Sequence, residues 1–358
     1  MEENAAPATE VSTREARTES VQPIYRGLAE DGAAGDKSLK ERLGETTRRA
    51  RRYFQSARAP ATVRAYASDL ADFETWCKIE AGGLQAMPAS PETVALYIAD
   101  AAGRGLKAST ISRRLTAISV LHKAAGLGSP ALDERVKDVF KGIKREHGSL
   151  EKGAAPLLTP TIKRMIVVAR ESAESAAQEK AACRDAALLL VGYAGAFRRS
   201  ELSSLRVEDV EFVEDGATVL LRRSKTDQEG KGDKRALPYG SHPQTCPVRN
   251  LRRWLEVLSE AEGPVFRPID RHGNLGEAAL SDRSVCEVVK RRAQAAGLSR
   301  ERYSGHSLRA GLATAASAAG VSQRSIMDQG DWKSVQTVMR YVREGTLFKN
   351  NAAASIGL

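Results

Sequence analysis

The sequence has few of the residues that build covalent or metal-bound scaffolds. Its four cysteines lie far apart, without a CxxC pair, and its five histidines do not cluster at the spacing of metal ligands. We therefore expect reduced thiols and no structural metal. The sequence also contains neither a P-loop nor a cluster of carboxylates, so it gives no indication of a nucleotide or metal cofactor.

Long apolar runs are also lacking. The longest, Ala186 to Phe197, has twelve residues, which suits a buried helix and is too short to span a bilayer. The N-terminus is acidic and polar and has no signal-peptide pattern. We therefore expect a cytoplasmic protein without a membrane partner.

An excess of negative charge occurs only in the N-terminal segment. The chain carries a net charge of +10, but residues 1–45 contain six Lys or Arg and ten Asp or Glu, a net of −4. The remaining residues therefore carry +14, and Arg outnumbers Lys 38 to 17 over the whole chain. The planar guanidinium of Arg suits bidentate phosphate contacts. A basic body indicates a nucleic-acid partner, with ribosomal and membrane-surface binding as weaker alternatives.

The first part of the chain divides into a tail and a helical domain. Residues 1–45 lack periodicity and predict a disordered or loosely ordered acidic tail. In residues 46–147 the apolar side chains recur at three- and four-residue steps, which predicts four amphipathic helices packed as a bundle. Ser90-Pro91, Ser109 and Ser129-Pro130 supply three of the predicted helix starts.

The polar faces of these helices carry six cationic residues. In a basic chain, a solvated surface and contact with the DNA backbone are both open interpretations of such residues. The six are Arg113, Arg114, Lys123, Lys141, Lys144 and Arg145.

A second domain follows a linker. Residues 148–158 contain Gly and Pro without periodicity and predict the linker, and residues 159–345 form the second domain. A strongly apolar helix is predicted at 178–196. Three short alternating segments, 210–213, 217–221 and 235–238, predict a small antiparallel sheet. Further helices are predicted at 248–258, 284–295, 306–319, 322–328 and 334–341. The expected fold is mainly α, with one small antiparallel β-sheet.

The C-terminal part concentrates chemically capable side chains. It reads Ser304-Gly-His306-Ser-Leu-Arg309. Trp332 follows between two predicted helices, and Tyr341 ends the second of them. His306 and Arg309 are three residues apart, so on a helix they share a face and can reach one small anion together. Tyr341 lies nine residues after Trp332, close enough to return to that anion. A phosphate bound by Arg beside a Tyr oxygen suggests phosphoryl transfer through a phosphotyrosine.

Three more polar residues precede this cluster. Arg198 and Glu201 are three apart, directly after the apolar helix, and Lys225 lies in the polar turn of the predicted hairpin. Each motif alone is common, since Arg-x-x-Glu is ordinary helix-surface pairing and a Lys in a turn is usually solvated. Their order and spacing together are far more specific.

This order closely resembles the tyrosine recombinase (phage integrase) family, from about residue 57 to the C-terminus. The resemblance implies a four-helix core-binding domain and a catalytic domain that close as a clamp around duplex DNA. It also implies conservative site-specific recombination, without ATP or metal, of the kind found in mobile elements. In that family Arg198 and Arg309 would hold the scissile phosphate, and Tyr341 would attack phosphorus to give a 3′-phosphotyrosyl bond.

The resemblance assigns the other site residues as well. Lys225 would protonate the 5′-oxygen that leaves, and Trp332 would donate its indole N–H. His306 would act on the side of the nucleophile or donate to the phosphate, and Glu201 would orient Arg or His. Trp332 stands where many members have His, and an indole cannot accept a proton.

The resemblance further implies a homotetramer on DNA, in which residues 346–358 contact a neighbouring subunit; a segment that folds back on its own core is the alternative. Two other functions stay open. One is DNA relaxation of the type IB topoisomerase kind, and the other is DNA binding without catalysis. The sequence does not indicate the target site, the direction of recombination, the accessory proteins or the role of residues 1–45.

Overall fold

A computed structural model of the chain describes residues 59–148, 153–222 and 232–347. The chain divides into two compact units, Met1–Glu151 and Lys152–Leu358, which are described separately. No helix within the described ranges is long and apolar enough to cross a membrane.

The first unit contains the four predicted helices, packed around one apolar core. Phe73, Tyr97, Ile98, Ile111 and Val136 are almost fully buried in that core. The helices are α1 (Pro60–Ile79), α2 (Pro91–Gly103), α3 (Ala108–Ala124) and α4 (Glu134–Glu146).

One of the three predicted helix starts in this unit is confirmed, and two were wrong. Ser90 caps α2, because its hydroxyl accepts from the Thr93 N–H. Helix α3 begins before Ser109, since the extended residue Lys107 already presents its carbonyl to the first helical N–H groups. Ser129-Pro130 opens only a 3₁₀ turn, and α4 is capped by the Asp133 carboxylate, which accepts from the Arg135 N–H.

Within the described residues, the second unit contains eight α-helices and three strands, besides short 3₁₀ turns. The strands are β1 (Val210–Val213), β2 (Gly216–Leu221) and β3 (Asp233–Pro238). The helices are α5 (Thr159–Glu171), α6 (Ala176–Ala194), α7 (Arg199–Ser203), α8 (Pro247–Leu258), α9 (Asp282–Ala295), α10 (Gly305–Ala318), α11 (Gln323–Gly330) and α12 (Val335–Thr346).

The three strands form the predicted antiparallel sheet in the order β1-β2-β3. Val210 pairs with Val219, and Leu221 pairs with Asp233 at the end of the β2–β3 hairpin that is next to the connecting residues. The prediction of a mainly helical fold with one small antiparallel sheet is confirmed.

Helix α6 runs through the core of this unit, as its apolar composition predicts. Its residues from Ala186 to Val191 are all 5% exposed or less. Helix α10 packs against α6 and α12. Gly311 lets the backbone of α10 approach Leu157, because an added Cβ would lie 2.0 Å from the Leu157 carbonyl oxygen. The side chains described next lie on α10 and α12 and in the segments that directly follow α6 and α11.

Candidate functional site

Five of the seven predicted catalytic side chains gather around one site in the second unit: Arg198, His306, Arg309, Trp332 and Tyr341. Glu201 lies directly behind Arg198. Lys225 lies outside the described residues.

Arg309 lies in the driest part of the site. It is 3% exposed on α10, and its Nη1 donates to the carbonyl oxygen of Ala196 over 2.5 Å. Its guanidinium carbon lies 3.9 Å from the centre of the Trp332 ring, so the indole face stabilises the cation. Burial, followed by the nearby cation Arg198, lowers the pKa of Arg309 to about 10. It therefore remains a cation at neutral pH.

Arg198 is held by carboxylates as well as by a carbonyl. Glu201 is 2% exposed; one of its oxygens accepts from the Arg198 backbone N–H over 2.8 Å and the other from Arg198 Nη1 over 2.5 Å. Arg198 Nη2 also donates to the Asp331 carbonyl oxygen at 3.4 Å. The carboxylate of Asp331 lies 3.9 Å from Arg198 Nη1. Glu201 thus orients the guanidinium from within the protein.

His306 and Tyr341 meet directly. His306 Nε2 lies 2.8 Å from the Tyr341 hydroxyl oxygen, although the two residues are 35 positions apart on α10 and α12. Burial raises the pKa of Tyr341, against the lowering effect of Arg340 and Arg309. His306 stays exposed at one side, but the part of its ring that faces Tyr341 is partly buried; this partial burial lowers the pKa of His306, and Arg309 lowers it further. A neutral imidazole therefore stands next to a protonated phenol, which is the pairing that proton transfer requires.

Trp332 closes one side of the site. It is 7% exposed, and its ring centre lies 6.1 Å from that of Tyr341. The ring packs over Gly330, where an added Cβ would lie 1.9 Å from an indole carbon. Any larger residue at position 330 would therefore displace the indole.

The structure adds residues to the site that the sequence analysis missed. Ala196 and Asp331 provide backbone carbonyls to Arg309 and Arg198, and Arg235 is buried near Arg309. Ala196 and Asp331 have positive φ angles. In a sequence, glycine is the residue that indicates such a conformation, so an Ala or an Asp does not predict it. Arg235 is two residues before Leu237 on a predicted strand. Its place on the same strand face as that apolar residue was the one available signal.

The six predicted cations of the first unit differ in their surroundings. Arg113 donates to Asp69 over 3.0 Å, and Arg114 donates to the Asp72 carboxylate and to the Tyr97 hydroxyl. The side chain of Arg114 is 13% exposed, so we assign it a structural role within the bundle. Arg113 is 47% exposed, and the other four, Lys123, Lys141, Lys144 and Arg145, are exposed as well.

Among the described residues, no three His, Cys, Asp or Glu side chains form a group able to hold a metal ion. The two guanidiniums of the site lie near a phenol, an imidazole and an indole. Two guanidiniums beside a phenol and an imidazole can bind one phosphate group and exchange a proton with a nucleophile.

Comparison with known families identifies relatives for both units. Residues 162–346 match the phage integrase family, and residues 51–126 match its N-terminal SAM-like domain. The chain is 41% identical over 307 residues to an integrase/recombinase xerD homolog of Selenomonas ruminantium, covering 85% of this chain and 87% of that protein. It is 28% identical over 288 residues to recombinase cre of Escherichia phage P1, covering 75% of this chain and 79% of that protein.

Solved structures share the fold. The chain superimposes with a TM-score of 0.54 on XerH recombinase bound to its difH substrate, at 17% identity, covering 82% of this chain and 79% of that one. The TM-score is 0.53 with a lambda integrase dimer bound to a COC′ core site, at 16% identity, covering 93% of this chain and 87% of that one.

Proposed function

The chain belongs to the phage integrase family, and from that premise we propose that Tyr341 is the nucleophile of its reaction. The protein is a tyrosine recombinase, an enzyme that breaks and rejoins DNA. The contact that best supports the assignment is the 2.8 Å separation between the Tyr341 hydroxyl and His306 Nε2, beside two guanidiniums. The relatives are named recombinases, which does not favour the topoisomerase alternative.

In the proposed first step, the Tyr341 oxygen attacks the scissile phosphorus. The new O–P bond makes a 3′-phosphotyrosyl link, and the bond from phosphorus to the 5′-oxygen breaks. Arg198 and Arg309 bind the non-bridging oxygens and stabilise the charge that develops in the transition state. Trp332 donates its indole N–H to the same phosphate, and Glu201 keeps Arg198 oriented.

Two protons move in this step. Neutral His306 accepts the proton of Tyr341, since its Nε2 already contacts the hydroxyl oxygen. We propose from the sequence that Lys225 gives its proton to the departing 5′-oxygen. The phosphotyrosyl link conserves the energy of the broken phosphodiester bond. Rejoining therefore needs attack by a 5′-hydroxyl and no nucleotide hydrolysis.

The first unit is proposed to bind duplex DNA along its cationic helical faces. Support comes from the exposed residues Lys123, Lys141, Lys144 and Arg145, together with the net charge of +14 outside residues 1–45. Binding should weaken steeply with salt, because each phosphate that is neutralised releases a counterion.

A homotetramer on DNA is the proposed assembly, with residues 346–358 reaching a neighbouring subunit. The support is the sequence, which places Leu347, Phe348, Ala352 and Ile356 at spacings suited to one apolar face. Leu347 is 61% exposed at the end of α12. A cytoplasmic location of the protein is proposed as well, because the proposed substrate is DNA.

A trapping assay tests the nucleophile. The protein is incubated with nicked DNA from its own genomic neighbourhood, in EDTA and without ATP, and then denatured with SDS. We expect a covalent adduct on the 3′ side that maps to Tyr341 in the unmodified protein. Tyr341→Phe should bind DNA with unchanged affinity and form no adduct, since a phenyl ring has no nucleophilic oxygen. An adduct formed by Tyr341→Phe would disprove the assignment.

A further inference from the structure

Two arginines beside the site have no part in the mechanism described above. Arg199 directly follows Arg198, and Arg340 directly precedes Tyr341. Both residues are exposed, whereas Arg309 is 3% exposed. An exposed guanidinium next to a buried one can bind a part of the substrate that the buried one does not contact.

The stem of Arg199 lies across the start of α10. A Cβ added at Gly305 would lie 2.2 Å from Arg199 Cγ and 2.5 Å from its Cδ, so the missing side chain at Gly305 makes room for this stem. Gly305 is the first residue of α10, and His306 follows it. The contact therefore places Arg199 at the N-terminal end of α10, where the backbone N–H groups add a partial positive charge.

Arg340 approaches the start of α10 from α12. Its Nη2 lies 2.8 Å from the position that a Cβ of Gly153 would occupy. Two residues further on, the Ala155 N–H donates to the Arg302 carbonyl oxygen over 2.8 Å, three residues before α10 begins. The segment that Arg340 contacts is thus fixed beside the start of α10 by a backbone hydrogen bond.

Both arginines act on the imidazole of His306. After partial burial and Arg309, Arg199 and Arg340 are the next strongest influences that lower the pKa of this imidazole. Arg340 is also the strongest of the charges that lower the pKa of Tyr341. Because electrostatic effects weaken with distance, both guanidiniums lie near the hydrogen-bonded pair of imidazole and phenol.

The site holds more positive charge than the scissile phosphate neutralises. A phosphodiester group carries one negative charge, and the proposed mechanism already assigns Arg198 and Arg309 to it. Arg199 forms no ion pair with a carboxylate of the described residues. A DNA strand has one phosphate about every 3.4 Å along the duplex axis. A second phosphate is therefore the nearest negative charge that the substrate offers to the exposed guanidiniums.

We propose that Arg199 and Arg340 bind a second phosphate of the cleaved strand, next to the scissile one, and that this contact aligns the strand with Tyr341. The two guanidiniums donate charge-assisted hydrogen bonds to the non-bridging oxygens of that phosphate. The inference rests on the proposed function, which supplies the strand and the scissile phosphate. Proton transfer stays with His306.

The test uses the scissile phosphate that the trapping assay maps. In two modified substrates, a neutral methylphosphonate replaces the phosphate that precedes or the one that follows the scissile phosphate. For the unmodified protein, one of these substrates should form the Tyr341 adduct about 100-fold more slowly, because two charge-assisted contacts are lost. On natural DNA, Arg199→Gln and Arg340→Gln should each slow adduct formation about tenfold, because each loses one contact.

The coupling between the substitution in the protein and the one in the DNA is the decisive readout. On the methylphosphonate substrate that slows the unmodified protein, both variants should react at the same rate as the unmodified protein, because the group that they contact is already absent. The other methylphosphonate substrate should show no such coupling. Thermal unfolding of the variants verifies that they are folded.

A second readout needs no cleavage. In the Tyr341→Phe background, affinity for natural DNA should depend less steeply on salt when both arginines are replaced by Gln. The slope of log affinity against log salt concentration should fall by about 0.9, the value for one phosphate contact.

Arg253→Gln is the matched control for a lost positive charge. Arg253 is exposed on α8 and lines a pocket together with Cys183, which lies in the N-terminal half of α6. The site follows the C-terminal end of α6, about 20 Å along that helix from Cys183. This control should leave the reaction rates and the salt slope unchanged.

Two results would overturn the inference and leave the proposed function intact. One is a set of losses that multiply, so that each variant slows adduct formation equally on natural and on methylphosphonate DNA. The other is a salt slope that does not change when both arginines are replaced. If the unmodified protein forms no adduct with natural DNA, the proposed function fails, and the inference fails with it.

Discussion

Two turns that follow helices, one after α6 and one after α11, are built alike and hold the two arginines of the site. Each consists of a glycine, a residue with positive φ and an aromatic: Gly195-Ala196-Phe197 and Gly330-Asp331-Trp332. In each turn, the backbone N–H of the aromatic residue and that of the residue before it donate to carbonyls of the preceding helix, which is the Schellman arrangement. The middle residue then presents its own carbonyl to an arginine, Ala196 to Arg309 and Asp331 to Arg198.

The two turns differ in what surrounds that carbonyl. Ala196 is fully buried, and Arg309 beside it is 3% exposed, with a pKa lowered to about 10. Asp331 adds a carboxylate, which lies 2.7 Å from Lys333 Nζ, and Arg198 is further tied to Glu201. One backbone device thus fixes both guanidiniums. Among the described residues, Arg309 has no carboxylate in contact and lies buried against the Trp332 ring, whereas Arg198 is partly neutralised by the carboxylates of Glu201 and Asp331.

The largest expected effect is a difference in the rate of adduct formation between lysine variants of the two arginines. Arg309→Lys should lower the rate of adduct formation by about 10³-fold, because an ammonium cannot replace a bidentate donor in a water-excluded site. Arg198→Lys should also lose most activity, but by a smaller factor, since Asp331 and Glu201 already offset part of the Arg198 charge. Single-turnover trapping at saturating protein measures both. An Arg198→Lys rate below that of Arg309→Lys would break the comparison.

The aromatics of the two turns should also behave differently. Trp332→Phe keeps a ring over Gly330 and removes the indole N–H, so adduct formation should fall about tenfold. Trp332→Ala also removes the face that contacts Arg309, and the rate should fall by about 100-fold. Phe197→Leu is the matched control at the other turn. It should lower the unfolding temperature with little effect on the rate, and a rate loss equal to that of Trp332→Ala would contradict this assignment.

A smaller effect concerns the titration of His306. Burial lowers its pKa most, Arg309 is the strongest of the charges that lower it, and Arg198 acts more weakly. A cation repels the protonated imidazole, so its removal raises the pKa. Arg309→Gln should therefore raise the pKa of His306, and Arg198→Gln should raise it less. The His306 ring resonances, followed by NMR against pH, measure both. The acid limb of the cleavage rate should move to higher pH with them, because the imidazole accepts a proton only when neutral.

An equal or larger rise in Arg198→Gln would show that the two guanidiniums contribute alike to the potential at the imidazole. The resonances of His122, which lies buried in the first unit, should not shift in either variant.

The smallest effect tests the backbone itself. Ala196 has a φ of 49°, a left-handed conformation that costs an alanine about 1 kcal/mol. Ala196→Gly should therefore stabilise the protein by up to about 1 kcal/mol. Asp331→Gly should give less, because Asp tolerates this conformation better and its ion pair with Lys333 is lost. Chemical denaturation measures both, and destabilisation by Ala196→Gly would contradict the strain assigned to that turn.

Local sequence patterns were sufficient to predict most of the helices and strands. The apolar periodicity located the four helices of the first unit, and the alternating segments located the three strands. Two helix starts were wrong because Ser109 and Ser129 have competitors nearby. An extended Lys107 and the carboxylate of Asp133 supply the caps instead. Capping depends on which residue leaves the helical conformation, and a serine in the sequence does not decide that.

The site could be predicted only in part. The spacing of His306 and Arg309 on one helix follows from the sequence, since three residues make nearly one turn. The meeting of His306 with Tyr341 does not, because it depends on how α12 packs against α10. The internal use of Arg114 was likewise invisible, since Asp72 lies 42 positions away.

The sequence by itself determined the residue types, their order and their places on helices, strands and turns, because these follow from local spacing and composition. Together they were specific enough to indicate the family and the chemistry. Only the tertiary structure decided which groups hold the reactive ones. The carbonyls of Ala196 and Asp331 and the side chains of Arg235 and Gln329 all act through contacts between distant segments. Backbone carbonyls have no residue-specific signature, so their role is set where the packed helix ends place them.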